Sequence, residues 1–282
     1  MALIQFDFES QYLYSNTVIS IILPDRPRDI DAETFYGSGK KYKVLWLLHG
    51  TFGDHSDWVR KSMIEIYARE KNLICVMPSA LNSDYENWPG FGLGFHMESH
   101  LIKELMPLIY NWFPASNRKE DNFIAGLSMG GRGVLSYILK YPDLFAAGAV
   151  LSAAPAPVAD IDWEGKLDDP LAPGINNPRF LNQVNNAGGK DSYLKKYDLY
   201  SKIFEMHEKG TLPKLLMGCG TADPVIYKNF CNLREECRKK NVPIEFGELP
   251  DLGHEWRFWD PFIQTALNFF GLDAQVTKKE LF

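Results

Sequence analysis

The sequence lacks the marks of several whole classes of protein. No apolar run approaches the roughly 18–20 residues of a membrane-spanning helix, so no membrane partner is expected. There are four cysteines, Cys75, Cys219, Cys231 and Cys237, and none forms a CxxC pair. That pattern suits reduced thiols rather than a disulfide framework or zinc finger. The first residues, MALIQFDFES, lack a basic start, an apolar stretch and a small-residue cleavage site. With the thiols, this gives a cytoplasmic location as the expectation. No dense Lys/Arg tail is present, and the net charge is −6, which argues against a nucleic-acid partner. The short clusters Lys40, Lys41, Lys43 and Arg238, Lys239, Lys240 read as solvated faces. There is no P-loop and no GxGxxG fingerprint, and no cofactor is expected. No metal is expected either. His96 and His100 flank Glu98 in HMESH rather than HExxH, and they read as exposed helical polar residues. Asp160, Asp162, Asp168 and Asp169 lack EF-hand spacing.

What remains is an ordinary globular composition, 45% apolar over 282 residues, ample for a sizeable core. The N-terminal part reads as antiparallel strands, Leu3 to Phe8 and Val18 to Leu23. Val44 to Leu48 is continuously apolar, as in a parallel strand covered on both faces. Further strands are expected at Leu73–Met77, Phe123–Ala125, Ala146–Leu151, Leu215–Met217 and Val242–Phe246. Helices are expected at Trp58–Glu70, from Met97 to Trp112, Met129–Tyr141, Lys195–Lys209, Tyr227–Lys240 and Trp256–Phe270. This alternation predicts an α/β fold: a mostly parallel central sheet, helices on both faces, and an antiparallel N-terminal edge. Residues 1–282 read as one domain. Residues 152–192, rich in Pro, Asn and Asp, read as a structureless lid-like or substrate-binding insertion.

Ligands on such sheets bind beyond the carboxyl ends of the strands. Ser128 lies in Gly126-Leu127-Ser128-Met129-Gly130, between an expected strand and an expected helix. That strand–turn–helix setting is the one a GxSxG nucleophile requires: the tight turn exposes the hydroxyl, and the glycines avoid clashes across it. A serine hydroxyl needs a base, and His254 sits between the last strand and the last helix. The imidazole needs an acid to orient it, and Asp223 follows the strand Leu215–Met217. Asp223-Pro224 is also a common turn pair, so a capping role competes for that residue taken alone. The chain order Ser, Asp, His is that of the α/β-hydrolases. Oxyanion donors are expected from the backbone N–H of Met129 and from the loop after Leu48, with Thr51 as first choice and Phe52 as second. His49, at that strand end, reads as a structural, hydrogen-bonded histidine.

The chain resembles the esterase D-like branch of the α/β-hydrolases, which includes tributyrin, feruloyl (cinnamoyl) and acetyl xylan esterases, S-formylglutathione hydrolases and mycolyltransferases. The matching marks are His49-Gly50 with Gly53 and Trp58, Gly126-x-Ser128-x-Gly130-Gly131, Asp223, and Gly253-His254-x-Trp256-x-x-Trp259. The resemblance spans about residues 15 to 272. It implies a Ser128–His254–Asp223 triad with oxyanion donors at Thr51 and Met129.

The resulting expectation is a serine carboxylic ester hydrolase working through an acyl-enzyme. Its substrate would be a small-molecule or carbohydrate-linked ester, with short acyl, acetyl or feruloyl groups. An S-formylglutathione hydrolase or an acyltransferase on the same scaffold is the alternative. A non-catalytic hydrolase fold that binds a ligand or partner is the alternative of another class. A homo-oligomer is compatible with all of these. Phe52, Trp88, Phe91 and Trp256 are the aromatic candidates for the substrate pocket, although Trp256 and Trp259 also open an apolar helix with Phe262, Ile263 and Leu267 and read more readily as core.

Overall fold

The structure, a computed structural model, describes residues 2–167 and 173–272. Among the described residues ten strands form in chain order: β1 (Ala2–Ser10), β2 (Ser15–Leu23), β3 (Val44–Leu48), β4 (Ile74–Pro78), β5 (Asn87–Trp88), β6 (Phe95–His96), β7 (Asn122–Leu127), β8 (Ala147–Leu151), β9 (Lys214–Gly220) and β10 (Ile244–Leu249). Eight of them build the main sheet in the order β1-β2-β4-β3-β7-β8-β9-β10, while β5 and β6 pair as a short separate ribbon. β1 and β2 run antiparallel at one edge, and β2 pairs antiparallel with β4. The remaining pairings of the main sheet are parallel. This is the α/β-hydrolase fold, a mixed sheet with an antiparallel N-terminal edge and helices on both faces.

The strand sequences explain the two-sided burial. In β3 every residue is buried. Because side chains alternate across a strand, Val44, Trp46 and Leu48 enter one core layer and Leu45 and Leu47 the other. Each such side chain contributes about 1.5–3 kcal/mol on leaving water. The indole N–H of Trp46 is satisfied by Asn122 Oδ1 at 3.0 Å, so even this large aromatic leaves no donor unpaired. Edge strand β1 is covered on one side only. Its Ile4, Phe6 and Phe8 are half-buried, while Gln5, Asp7 and Glu9 face solvent.

Eleven α-helical segments occur among the described residues: α1 (Ala32–Gly37), α2 (Asp57–Lys61), α3 (Ile64–Lys71), α4 (Met97–Ser99), α5 (Met106–Trp112), α6 (Met129–Lys140), α7 (Pro178–Ala187), α8 (Lys190–Tyr197), α9 (Leu199–Glu208), α10 (Tyr227–Lys239) and α11 (Trp256–Phe269). Helices α5, α6, α9 and α10 cover one face of the sheet. Helices α2, α3 and α11 cover the other. The helix expected over Trp58–Glu70 is broken, because Ser62 is extended and separates α2 from α3. The helix expected from Met97 is continuous but passes through a π-helical turn at His100–Leu105 between α4 and α5.

The segment 152–192 departs from the structureless loop expected of it. Residues 168–172 lie outside the described residues, as do Asp168 and Asp169 of the acidic cluster. Beyond them the chain is helical, and α8 ends where the helix from Lys195 was expected to begin. The start signal is local. Asn177 caps α7 by accepting from the N–H of Arg179 at 3.0 Å, and Pro178 supplies the preset backbone angle of the first turn. Phe180, Val184, Tyr193 and Tyr197 from α7 and α8 make a small apolar cluster of their own.

One tight contact gives a test of the packing. An added Cβ at Gly218, on β9, would lie 2.2 Å from the ring of Phe262 on α11. Gly218→Ala is expected to destabilise the fold by about 1–3 kcal/mol through overpacking. Urea unfolding measures it, and Phe262→Leu in the same chain should recover part of the loss.

Candidate active site

The parallel strands deliver their carboxyl ends to one edge of the sheet, and the proposed residues stand immediately beyond them. Ser128 follows β7 with φ +52° and ψ −117°, a conformation that non-glycine residues rarely adopt. The glycines on either side make that turn sterically feasible. A Cβ on Gly126 would lie 2.6 Å from the Gly130 carbonyl oxygen, and one on Gly130 would lie 2.5 Å from the Leu48 oxygen. The turn is pinned from below by the Ser128 N–H, which donates to the Leu151 carbonyl at 2.8 Å.

The Ser128 hydroxyl donates to His254 Nε2 at 2.8 Å. On the other side of the ring, His254 Nδ1 donates to Asp223 Oδ2, also at 2.8 Å. The second oxygen of Asp223 accepts the N–H groups of Val225 at 2.9 Å and Ile226 at 3.0 Å. Asp223 thus combines the capping and imidazole-orienting roles that compete in the sequence. Its side chain is fully buried. Burial acts to raise its pKa, but the His254 hydrogen bond and charge and the two backbone N–H groups outweigh it, so the carboxyl stays below the ordinary aspartate value. The His254 ring rests edge-on against Trp259, with centroids 5.1 Å apart. The Trp259 indole N–H donates in turn to Ser152 Oγ at 3.1 Å.

The loop after β3 passes directly beside this serine. A Cβ on Gly50 would stand 3.5 Å from Ser128 Cβ. Among the described residues, the N–H groups of Thr51 and Met129 have no protein acceptor. The N–H of Phe52, the second choice for an oxyanion donor, is engaged by Asn82 Oδ1 at 2.9 Å and is withdrawn from that role. His49 behaves as a structural residue. Its Nδ1–H donates to the Gly50 carbonyl at 2.7 Å, and its Nε2 accepts from the Ala80 N–H at 2.9 Å.

Ser128 and His254 open onto a cavity of about 340 Å³. Its apolar wall comes from Met129, Leu135, Ala154, Phe180, Leu199 and Ile226. A polar side is formed by Asp84, Arg132, Arg179 and Gln183. The four expected pocket aromatics do not line it. Phe52 is 91% exposed on its left-handed turn, and Phe91 projects into solvent. Trp88 bonds the Ser83 carbonyl, and Trp256 packs edge-on between Trp58 and Trp259. Sequence reading passed over Arg132, although a charged residue one turn after the serine, on a helix that is mostly buried, is a usable signal. Its guanidinium bonds Gln183 Oε1 at 2.6 Å and Glu86 Oε1 at 3.2 Å, and it stacks on Tyr197.

A second serine–histidine–carboxylate cluster lies elsewhere. Ser10 and Glu104 both approach the same nitrogen of His100, Nδ1, at 3.0 and 2.7 Å. Ser10 Oγ also accepts the N–H of Leu13 at 3.1 Å. Ser10 is 1% exposed and His100 is 0% exposed, so the expectation of an exposed His100 is corrected. The cause is the π-helical turn, where His100 lies buried and stacked on Phe8 of the edge strand. The cluster ties the end of β1 to that turn and does not line the cavity.

The Putative esterase family model matches residues 10–270, and the chain belongs to that family. An acetyl esterase of Caldicellulosiruptor saccharolyticus is 30% identical over 281 residues, covering 95% of this chain and 98% of the relative. FphF of Staphylococcus aureus, a fluorophosphonate-binding serine hydrolase, superposes with a TM-score of 0.71 at 27% identity, covering 95% of this chain and 98% of its own. The S-formylglutathione hydrolase FrmB of Staphylococcus aureus superposes with a TM-score of 0.74 at 26% identity over the same shares. The chain is therefore a serine-hydrolase-type α/β-hydrolase related to esterases of several kinds. No helix among the described residues is long and apolar enough to cross a membrane.

The environment of His49 carries a pH signature. Burial, opposed by the Gly50 carbonyl and by Asp57 and Asp54, holds its pKa below the ordinary 6.5. His100 is lowered in the same direction, by burial against the pull of Glu104. A depressed histidine leaves the folded state neutral while the unfolded chain takes up a proton. Stability is therefore full above about pH 6.5 and shrinks as pH falls from there toward the folded pKa values. An NMR titration is expected to place the His49 midpoint below 6.5, with the neutral ring protonated on Nδ1, and the urea midpoint should fall as pH drops below about 6.5. A His49 midpoint at or above 6.5 would contradict this.

Proposed function

We propose that this chain is a carboxylic ester hydrolase in which Ser128 is the nucleophile, His254 the general base and acid, and Asp223 the group that orients and steadies the imidazole. The observation that carries this reading is the unbroken relay at 2.8 and 2.8 Å, using both ring nitrogens and opening onto a cavity. Access favours Ser128 over Ser10, whose hydroxyl and histidine are sealed from solvent.

In the proposed reaction His254 Nε2 takes the Ser128 proton as Oγ attacks the ester carbonyl. The carbonyl electrons move onto oxygen, and the N–H groups of Met129 and Thr51 stabilise that charge. His254 then protonates the departing alcohol, leaving an acyl-serine. Water, deprotonated by the same ring, attacks the acyl-serine and releases the acid. The first turn of α6 adds its positive end beside the developing oxyanion. The chain works as a single α/β-hydrolase domain, and residues 152–192 serve as its substrate-binding insertion.

A cavity of about 340 Å³ suits a small acyl or phenolic acyl group. Short-chain acyl, acetyl-sugar and feruloyl-type esters are the substrate classes proposed. The 30% identity to an acetyl esterase supports the first two. A thioester reading, hydrolysis of S-formylglutathione, has the support of the similarity to FrmB. Relative kcat/KM values on acetyl, butyryl, feruloyl and S-formylglutathione substrates rank these classes, because specificity is a ratio of transition-state stabilisations.

Ser128→Ala is expected to fold normally, to lose roughly 10⁵–10⁶-fold in kcat on p-nitrophenyl acetate, and to resist a fluorophosphonate probe that labels the wild type. Ser10→Ala should still be labelled. Asp223→Asn should lower kcat by roughly 10³–10⁴-fold, since the imidazole loses its required tautomer. Undiminished turnover by Ser128→Ala, or labelling that depends on Ser10, sinks the assignment.

A further inference from the structure

The loop proposed to carry the oxyanion donor has little packing of its own. Phe52, next to Thr51, is 91% exposed and sits at φ +64°. The loop is held by polar contacts: the Gly53 N–H on the Gly50 carbonyl, the Phe52 N–H on Asn82, and Arg179 Nη1 on the Thr51 hydroxyl at 2.8 Å. That last contact comes from helix α7 of the insertion, 128 residues away in sequence.

Arg179 is itself fixed by a built partner. Its Nε donates to Asp84 Oδ2 at 3.1 Å, and its Nη2 pairs with Asp84 Oδ1. This uses two arms of the planar guanidinium and leaves Nη1 aimed at Thr51. Asp84 is 3% exposed and sits at φ +53°, followed by Tyr85 at φ +60°. Two successive left-handed residues are held there because the Tyr85 hydroxyl donates to the His49 carbonyl and the Tyr137 hydroxyl donates to the Tyr85 carbonyl. One helical turn beyond Arg179, on the same face of α7, Gln183 Nε2 also donates to Asp84 Oδ2, at 2.6 Å. The Gln183 oxygen then accepts from Arg132, four residues after Ser128. The acyl-cavity wall, the oxyanion loop and the nucleophile helix are therefore joined through one carboxylate.

We propose that Arg179, oriented by Asp84, is a positioning residue for the oxyanion hole: docking of α7 sets the Thr51 N–H at the place where the tetrahedral oxygen forms. The inference rests on the assignment of Thr51 as an oxyanion donor. It makes the inserted segment a condition for turnover as well as a wall of the cavity. When α7 lifts from Asp84, the serine relay stays whole while the Thr51 donor loses its support.

The test is a double-mutant cycle in the full chain with p-nitrophenyl acetate. Thr51→Val removes the hydroxyl, keeps the N–H and leaves no buried charge behind. Arg179→Met removes the guanidinium. Each is expected to lower kcat about tenfold or more, with KM changed by less than about twofold, and to slow fluorophosphonate inactivation in parallel. The double variant should be no slower than Arg179→Met alone, because that change already removes the Thr51 contact together with the Asp84 pair. Arg179→Lys, which reaches Asp84 or Thr51 but not both, should fall between. Unchanged kcat in Thr51→Val, a rise in KM alone, or additive losses in the double variant overturns the inference. Wild-type turnover that is lost in Ser128→Ala shows in the same assay that the underlying reading stands, so the two failures are distinguishable.

Discussion

The site depends on one steric constraint: a serine held in a left-handed turn at the point where three strand ends converge. A residue at φ +52° costs of order 1–3 kcal/mol relative to relaxed backbone, and nothing local to Ser128 offsets that. The surrounding sheet does. β7 is paired on both sides, by β3 and by β8, and its residues are buried from end to end. Gly126 and Gly130 let β3, the turn and α6 approach to distances that a single methyl group would forbid. The reach of the Ser128 hydroxyl to His254 and the closeness of the loop at Gly50 both follow from that crossing.

The two serine–histidine–carboxylate clusters separate composition from chemistry. Both bring together the same kinds of group at hydrogen-bonding distance. In one, the serine and the acid occupy opposite nitrogens of the ring, so a proton can enter at Nε2 while charge is steadied at Nδ1. In the other, both partners crowd Nδ1, the serine oxygen is held by backbone N–H groups, and Nε2 of His100 is buried with no partner. The first arrangement can pass a proton. The second fastens an edge strand to a helix.

The cavity is a composite of two regions with different origins. Its floor is the sheet edge and the start of α6, shared with the fold itself. Part of its wall is the insertion, which carries a small apolar cluster and supplies Arg179 and Gln183 to a chain of polar side chains running from Thr51 to Arg132. The balanced charges of buried Asp84 and Glu86, half-buried Arg132 and exposed Arg179 keep this polar layer near neutral overall. Burial raises the Glu86 carboxyl pKa even though Arg132 acts to lower it. Such a layer fixes geometry more than it adds stability.

Much of this was legible without coordinates. The continuous apolar run of β3, the alternation in β1 and the glycine spacing around Ser128 are local patterns, and local patterns follow from side-chain periodicity and backbone sterics. The antiparallel N-terminal edge and the Ser-Asp-His sequence of strand-end loops were readable for the same reason. The helices of 178–197 were missed because their start signal, Asn177-Pro178, lies in a stretch dominated by turn residues. The aromatic lining was misjudged because an aromatic near a site in sequence can be spent elsewhere: Trp256 on Trp58, Trp88 on Ser83. Sequence by itself determined which residues could do chemistry and that strand ends would carry them. Only the tertiary structure decided that Asp84 and Arg179, 95 residues apart, meet beside the Thr51 loop. Contacts across that separation are set by how layers pack, and no periodicity in the chain encodes them.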